Sequence, residues 1–251
     1  MRNKSSRGMT WKAGHRVLQT VNMLDGNELF WIQIYPEEQD DQKVSGSQGT
    51  AWCVEKSGHY VTNAHVVLNA DEIAIGFSEA DSVPARVVRI DRRTDLALLR
   101  VTTENHECVP IPLSGVVPRT GDDITVIGFP LSAFLGSEPR MNSGIVNARS
   151  GIAGDITRFQ IDAAVQPGSS GGPVLDGTGS VVGIVVEKLK DSASPDMDVE
   201  NVNFAIKISY LRPLLDEANV VPVFRESVHS ASSHSDVFRQ YERSVVPVRA
   251  W

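Results

Sequence analysis

The chain has 251 residues, of which 41% are hydrophobic, enough for one large all-β unit or two small barrels. Its formal net charge of −7 argues against a nucleic-acid-binding protein, which usually presents a basic face. No apolar run approaches the roughly 20 residues needed to cross a bilayer, and the basic N-terminus lacks the apolar core of a signal peptide. We therefore expect a cytoplasmic protein that binds neither nucleic acid nor membrane.

The predicted elements are mostly short strands. Apolar segments separated by Gly, Pro, Asn and Asp recur along most of the chain, and this pattern predicts antiparallel barrels. In chain order, strands are expected near residues 29–35, 50–54, 59–63, 72–76, 84–90, 96–101, 124–128, 143–148, 157–161, 173–175, 180–186 and 202–208. The expected fold class is all-β, with two antiparallel six-stranded β-barrels and a short C-terminal helix over 210–217.

The chain is expected to divide into three parts. Residues 1–24 form an N-terminal extension, residues 25–217 the folded domain and residues 218–251 a tail. Within the domain, barrel one is placed at about 27–115 and barrel two at about 120–208. The tail repeats Val-Val-Pro-Val, and we expect it to pack as a strap on the barrel surface. Addition to a sheet edge, occupation of the protein's own cleft and binding to a partner are the alternatives.

A serine between glycines is the most informative motif. Ser170 lies in the stretch Pro-Gly-Ser-Ser-Gly-Gly-Pro over residues 167–173. Glycine at positions 168 and 171 removes Cβ bulk and permits unusual backbone torsions. The N–H groups of Gly168 and Ser170 can then converge on one developing oxyanion, which makes Ser170 the candidate nucleophile.

Two upstream segments offer partners for this serine. His65 lies beside β-forming residues, and Asp95 precedes a buried strand. A serine hydroxyl becomes a good nucleophile when a neutral imidazole takes its proton, and the imidazole needs a carboxylate on its other nitrogen. Alone, His65 could be a core or turn histidine and Asp95 a turn cap. Their order and contexts together predict a catalytic triad of His65, Asp95 and Ser170.

These motifs resemble those of trypsin-fold serine peptidases of the HtrA-like type. The similarity covers roughly residues 29–217 and is carried by segments 46–52, 58–65, 94–99, 127–130, 143–146, 162–173 and 202–206. It implies a serine endopeptidase that works through an acyl-enzyme and needs no metal or organic cofactor. In that scheme Ser170 attacks, His65 acts as general base and then general acid, and Asp95 orients His65. The N–H groups of Gly168, Ser169 and Ser170 are implied to form the oxyanion hole.

The resemblance also implies a primary substrate pocket. The residue six before the nucleophile, Ala164, is expected at its base, with Val165 beside it and Val202 nearby. A substrate cation would be uncompensated there. We therefore expect Val, Ile, Leu or Ala at the cleaved position rather than Lys or Arg.

One position that differs from zymogen-activated relatives indicates how the activity is controlled. Ser169 stands where zymogen-activated relatives carry an aspartate, so activation by a new N-terminus is not expected. The resemblance instead implies that the loops at 131–142, 149–157 and 187–200 decide whether the oxyanion hole is formed, under control of a partner. We expect an intracellular regulatory or quality-control protease. Its candidate partners are a protein or peptide substrate, an activating protein and other copies of the chain.

Two other functions compete with this one. A catalytically silent trypsin-fold module that binds peptides as an adaptor or chaperone is the alternative, although a dead copy has no chemical reason to keep three triad residues. An α/β-hydrolase-type esterase is disfavoured by the strand pattern and by the lack of a G-x-S-x-G elbow around Ser170.

The two cysteines are expected to be unpaired thiols. In secreted trypsin-fold relatives the residue after the catalytic histidine is bridged to the preceding strand, but that residue is Val66 here. Cys53 is therefore expected to be a buried apolar residue, and Cys108 has too few neighbouring ligands for a metal site. Two unpaired thiols suit a reducing compartment.

Overall fold

The computed structural model describes residues 46–76, 81–103, 106, 108–132, 136, 138–186, 202–225 and 232–251. The expected N-terminal extension over 1–24, the predicted strand near 29–35 and the loop expected at 187–200 lie outside the described residues. The first part of the range expected for barrel one, residues 27–45, also lies outside the described residues.

The described strands are β1 (Ser47–Glu55), β2 (His59–Asn63), β3 (Ile73–Ile75), β4 (Val83–Asp91), β5 (Leu96–Val101), β6 (Leu113–Ser114), β7 (Asp123–Gly128), β8 (Arg140–Ala148), β9 (Arg158–Ile161), β10 (Pro173–Leu175), β11 (Val181–Val186), β12 (Asn203–Lys207), β13 (Phe224–Arg225) and β14 (Val245–Ala250). The described helices are α1 (Ala64–Val67), α2 (Arg212–Glu217) and α3 (His234–Tyr241), with 3₁₀ turns at Ile152–Gly154 and Ile208–Tyr210.

Barrel one is closed by six antiparallel strands in the order β1–β14–β3–β4–β5–β2. Barrel two is closed in the order β10–β7–β8–β9–β12–β11, because β10 also pairs with β11. The short strands β6 and β13 extend this second sheet in parallel beyond β11. The prediction of two six-stranded antiparallel barrels is confirmed, and α2 is the short helix expected at 210–217.

The C-terminal strand β14 corrects the expected boundary at residue 217. Residues 218–251 were expected to be a tail outside the domain, yet β14 lies between β1 and β3 and completes barrel one. Val248 lies opposite Gly49 of β1, and the backbone of Trp251 exchanges hydrogen bonds with that of Glu72. In the structure this segment is a strand within the closed barrel, and neither a strap on the barrel surface nor an addition at a sheet edge. The strand is fixed by partners far away in sequence, so local pattern did not reveal it.

Helix α3 was also not expected. Ser233 caps its N-terminus by accepting a hydrogen bond from the N–H of Asp236, and the Ser233 hydroxyl contacts the Asp236 carboxylate. Serine followed three residues later by an acidic residue is a helix-start signal that the sequence did contain. Among the described residues, no helix has the length and apolar character needed to cross a membrane.

Strand alternation sorts the buried side chains into separate clusters. In β1, Ala51 and Cys53 face the interior of barrel one, whereas Trp52 and Val54 face a large cluster shared with barrel two. This division follows from the two-residue period of a strand. The shared cluster joins the barrels along β1, β5, β7 and β11, and a third cluster fills barrel two. The serine loop, which is residues 167–173, and helix α1, which carries His65, are therefore supported by one continuous apolar core.

The expectation of unpaired thiols is wrong in this structure. Cys53 and Cys108 form a disulfide, with their Cα atoms 6.1 Å apart. The Cys108 N–H donates to the carbonyl of Lys56, which brings the segment after β5 back to the end of β1. The 55-residue separation gave no sequence signal for this pairing, because tertiary folding creates the proximity.

Candidate active site

The register of two strands brings the candidate histidine and aspartate together. Strand β2 pairs with β5 so that Asn63 lies opposite Leu96. Helix α1 begins directly after Asn63 and carries His65, while Asp95 directly precedes β5. The two side chains meet, with His65 Nδ1 2.7 Å from Asp95 Oδ2.

Asp95 is held in an unusual backbone conformation. Its φ is +59°, a left-handed value that aspartate adopts more readily than most residues. Its carbonyl accepts hydrogen bonds from the Ala64 N–H and from Asn63 Nδ2 at 3.1 and 3.0 Å. Its Oδ1 accepts from the His65 backbone N–H at 2.9 Å. A proton on His65 Nδ1 satisfies the remaining contact and makes Nε2 the ring nitrogen that carries the lone pair, the atom that can accept a serine proton.

A tight turn presents Asp95 to the site. Asp91 accepts hydrogen bonds from the Thr94 hydroxyl at 2.8 Å and from the N–H groups of Arg93 and Thr94 at 2.9 and 3.4 Å. Burial alone would raise the pKa of Asp91, but these hydrogen bonds outweigh it and hold the pKa below its ordinary value. The ionised Asp91 carboxylate therefore stabilises the turn at neutral pH.

The loop around the candidate serine is anchored through its carbonyl groups. The Pro167 carbonyl accepts from the Leu131 N–H at 2.8 Å, and the Ser169 carbonyl accepts from the Gly172 N–H at 3.0 Å. Across a planar trans peptide the C=O and the following N–H point in opposite directions. These two hydrogen bonds therefore fix the directions of the N–H groups of the next residues in each case.

Those next residues are Gly168 and Ser170, the candidate oxyanion donors. In the part of the chain that the structure describes, neither N–H donates a hydrogen bond to another protein group. The Ser169 N–H differs, because it donates to the Gln166 carbonyl at 2.9 Å. The expected contribution of Ser169 is corrected accordingly, since its N–H is already engaged.

Two glycines allow the serine loop to pack against the histidine helix. Gly171 has φ +86°, and an ideal Cβ there would lie 2.9 Å from the Asn63 nitrogen, at the start of α1. An ideal Cβ on Gly49 would lie 2.7 Å from Val66 Cγ2 and 3.1 Å from the Ser170 carbonyl oxygen. Strand β1 thus passes between the serine and the residue after His65, with room for hydrogen only.

The candidate nucleophile is buried and unpaired. Ser170 is 1% exposed, and its Oγ makes no hydrogen bond in the described structure. A buried hydroxyl without a partner is uncommon in folded proteins and points to a functional role. Hydrogen bonds between nucleophile and base often form only when substrate is bound.

The three expected pocket residues differ in their surroundings. The Ala163 carbonyl accepts from Asn203 Nδ2 at 2.8 Å, so the segment that carries Ala164 lies beside the start of β12, next to Val202. Ala164 is exposed and Val202 is half-buried. Val165 instead packs in the apolar interior of barrel two, where it supports the segment that carries Ala164.

Sequence reasoning missed several polar residues that hold this site in place. Each forms a side-chain hydrogen bond between segments that are distant in sequence; they are Thr50, Asn63, Asn142 and Asn203. Asn142 Nδ2 donates to the Ala164 carbonyl at 3.0 Å. A polar residue in or beside a predicted strand is normally assigned to the solvent face, so no local signal marked these contacts.

Comparison with known proteins finds serine proteases of similar sequence. A family model described as the trypsin-like peptidase domain matches residues 49–184. A probable periplasmic serine endoprotease, DegP-like, from Pseudomonas putida (strain W619) is 35% identical over 148 residues, which are 58% of this chain and 30% of that protein. The serine protease Do-like HtrA of Bacillus subtilis is 32% identical over 200 residues, 76% of this chain and 43% of that protein. The chain thus spans less than half the length of these relatives.

A solved structure of similar fold is the serine endoprotease from Yersinia pestis. It has a TM-score of 0.56 and 26% sequence identity, and the match covers 68% of this chain and 57% of that one. The similarity supports the two-barrel architecture and the HtrA-like relationship inferred from the sequence motifs.

Proposed function

Because the chain belongs to the trypsin-like peptidase family, we propose that it is a serine endopeptidase with His65, Asp95 and Ser170 as its triad. The observation that carries the proposal is the His65–Asp95 pair, whose Nδ1 and Oδ2 atoms are 2.7 Å apart, together with a buried Ser170. The N–H groups of Gly168 and Ser170 make no hydrogen bond within the described residues. This arrangement supplies a base, a carboxylate that orients it, a nucleophile and two oxyanion donors.

In the proposed reaction, Ser170 Oγ attacks the carbonyl carbon of the scissile peptide bond and its proton passes to His65 Nε2. The N–H groups of Gly168 and Ser170 stabilise the oxyanion, and Asp95 stabilises the imidazolium. Collapse of the tetrahedral intermediate breaks the C–N bond, and His65 protonates the departing amine. Water then hydrolyses the acyl-enzyme by the same steps.

For substrates, we propose cleavage after small or medium aliphatic residues. Ala164 and Val202 offer no charge to pair with a substrate cation. Regulation by loop order, an activating protein partner, self-association and a regulatory or quality-control role stay predictions. The relatives named DegP-like and HtrA are serine endoproteases by name, which supports the general class.

The disulfide favours an oxidising compartment over the expected cytoplasmic location. A cytoplasmic location rested partly on unpaired thiols, and the Cys53–Cys108 bond removes that premise. Disulfides persist mainly in oxidising compartments. The DegP-like relative is named periplasmic, which is consistent with such a compartment.

The alternative of a silent peptide-binding module is not favoured. A binding module has no need for an ion-pair geometry at His65 and Asp95 or for unengaged N–H groups beside a buried serine. The comparisons also name serine proteases rather than adaptors.

The proposed function is tested by digesting an unfolded protein and mapping the cleavage sites by mass spectrometry. We expect internal cuts enriched after Val, Ile, Leu and Ala, and none with Ser170→Ala. Equal cutting by both proteins would show a contaminating protease and contradict the proposal. Internal cuts that depend on Ser170 but follow Lys or Arg would contradict the pocket alone.

A further inference from the structure

A buried threonine of β1 connects the serine loop to the segment that follows β7. Thr50 is fully buried. Its backbone N–H donates to the Ser170 carbonyl at 2.8 Å, and its Oγ1 donates to the Gly168 carbonyl at 2.7 Å. The same Oγ1 accepts from the Phe129 N–H at 3.0 Å. One residue of barrel one thus holds two carbonyls of the loop that carries the candidate nucleophile.

The chemistry of these partners fixes the direction of each hydrogen bond. A backbone N–H can only donate and a carbonyl can only accept. The single hydroxyl proton of Thr50 must therefore point at the Gly168 carbonyl, while an oxygen lone pair receives the Phe129 N–H. There is no alternative orientation that satisfies both neighbours.

The Thr50 hydroxyl orients the serine loop through two contacts, one with the Gly168 carbonyl and one with the Phe129 N–H. Holding the Gly168 carbonyl fixes the plane of the Gly168–Ser169 peptide, because the peptide group is planar. Holding the Phe129 N–H fixes the segment that leads to Leu131, whose N–H anchors the Pro167 carbonyl. That second anchor sets the direction of the Gly168 N–H, one of the two candidate oxyanion donors.

Gly168 is the position where this loop can change conformation. Its φ is +95°, and a Cβ there would lie 2.5 Å from the Phe129 carbonyl oxygen. A glycine can rotate its flanking peptides at little steric cost. Without the Thr50 hydroxyl, the partly buried Gly168 carbonyl and the Phe129 N–H would each lose this hydrogen bond, and the peptides that flank Gly168 would be less restricted in rotation.

We infer that Thr50 is a positioning residue for the oxyanion hole. Its hydroxyl fixes the Gly168–Ser169 peptide and, through Phe129 and Leu131, helps to hold the Gly168 N–H in the direction of the substrate carbonyl. This inference rests on the proposed peptidase function. Thr50 touches neither the substrate nor the reacting atoms and acts through Gly168.

The test compares Thr50→Val with Thr50→Ser, using kcat and KM for a peptide substrate and the rate of labelling by a fluorophosphonate. Valine keeps the shape and removes the hydroxyl, whereas serine keeps the hydroxyl. We expect Thr50→Val to lower kcat and the labelling rate on the order of 10- to 100-fold with KM changed less than about 3-fold, because an oxyanion donor acts on the transition state. Thr50→Ser should restore most of the rate.

A matched control is Thr62→Val. Thr62 is also fully buried, and its Oγ1 donates to the Thr50 carbonyl at 2.8 Å, without a hydrogen bond to the 166–169 segment. Both valine variants should lower the unfolding midpoint, but only Thr50→Val should lower kcat strongly.

Equal losses of kcat in the two valine variants, or no loss in Thr50→Val, would overturn the inference while leaving the peptidase function intact. A large loss in Thr50→Ser would do the same, since the hydroxyl is retained. Absence of labelling in the wild-type protein would overturn the proposed function and this inference together.

Discussion

At the scale of residues, the site depends on a few backbone groups held in fixed directions. Asp95 accepts four hydrogen bonds at a left-handed φ, and Gly168 and Ser170 present N–H groups because neighbouring carbonyls are anchored elsewhere. Catalysis of acyl transfer needs such groups preorganised rather than merely present. Small substitutions at these positions should therefore change rate more than stability.

Asp95→Asn tests the orienting carboxylate. The amide is nearly isosteric, but it cannot stabilise the imidazolium and favours the wrong tautomer of His65. We expect kcat to fall by on the order of 10³- to 10⁴-fold, with a folded protein by circular dichroism. Retention of more than a tenth of the wild-type kcat would contradict the role given to Asp95.

Gly49→Ala tests the close approach between β1, α1 and the serine loop. A Cβ would collide with Val66 and crowd the Ser170 carbonyl, so His65 and Ser170 should be displaced relative to each other. Overpacking of this kind costs about 1–3 kcal/mol, and we expect at least a tenfold loss of kcat/KM. Gly115→Ala is the matched control, because the nearest atom to its Cβ would be the Arg225 oxygen at 4.0 Å. Similar kinetics for both variants would show that Gly49 is not a packing constraint on the site.

At the scale of elements, β14 is the unexpected part of barrel one. It lies opposite Ser47–Trp52 of β1, the strand that carries Gly49 and Thr50 against the serine loop. Val245 and Val248 are fully buried, and Val248 packs in the interior of barrel one. The C-terminal strand therefore supports the candidate site although it contributes no catalytic group.

Truncation after Arg243 tests this support. Removal of β14 leaves β1 and β3 with unpaired edges and opens the apolar core of barrel one. We expect loss of activity and of cooperative thermal unfolding, with partial recovery when a synthetic peptide of residues 244–251 is added. Full activity and an unchanged unfolding midpoint in the truncated protein would contradict the barrel assignment of β14.

An element of the fold could be predicted when its own residues carry the signal for it. Strands such as β5 and β7 were placed within a residue, because apolar runs and turn residues mark their ends in the sequence itself. β14 and the disulfide were missed because each depends on partners distant along the chain. The same division holds in the site: His65 and Asp95 lie in recognisable motifs, whereas Thr50 gains its role only from the folded arrangement around Gly168.

At the scale of the whole molecule, two barrels share one apolar cluster and the candidate site uses residues from both. His65 and Asp95 belong to barrel one and Ser170 to barrel two, and Thr50 links them across the interface. The integrity of barrel one, including its disulfide, should therefore affect the stability of the protein as a unit.

Replacement of both cysteines by alanine tests the contribution of the disulfide. For a 55-residue separation, loss of the constraint on the unfolded chain is expected to lower the free energy of unfolding by about 4 kcal/mol. Urea denaturation of the wild-type and double-variant proteins measures this difference. Detection of two free thiols in the purified wild-type protein by alkylation and mass spectrometry would contradict the pairing.

The central claim, that Ser170 is an activated nucleophile beside a formed oxyanion hole, is tested most directly by fluorophosphonate labelling read as intact mass. Wild type, Ser170→Ala and His65→Ala are compared, each with and without cell lysate to supply an activating partner. We predict a single adduct on the wild-type protein, absent from Ser170→Ala and strongly slowed in His65→Ala. An adduct that persists in Ser170→Ala, or no adduct on the wild-type protein under either condition, would contradict the account.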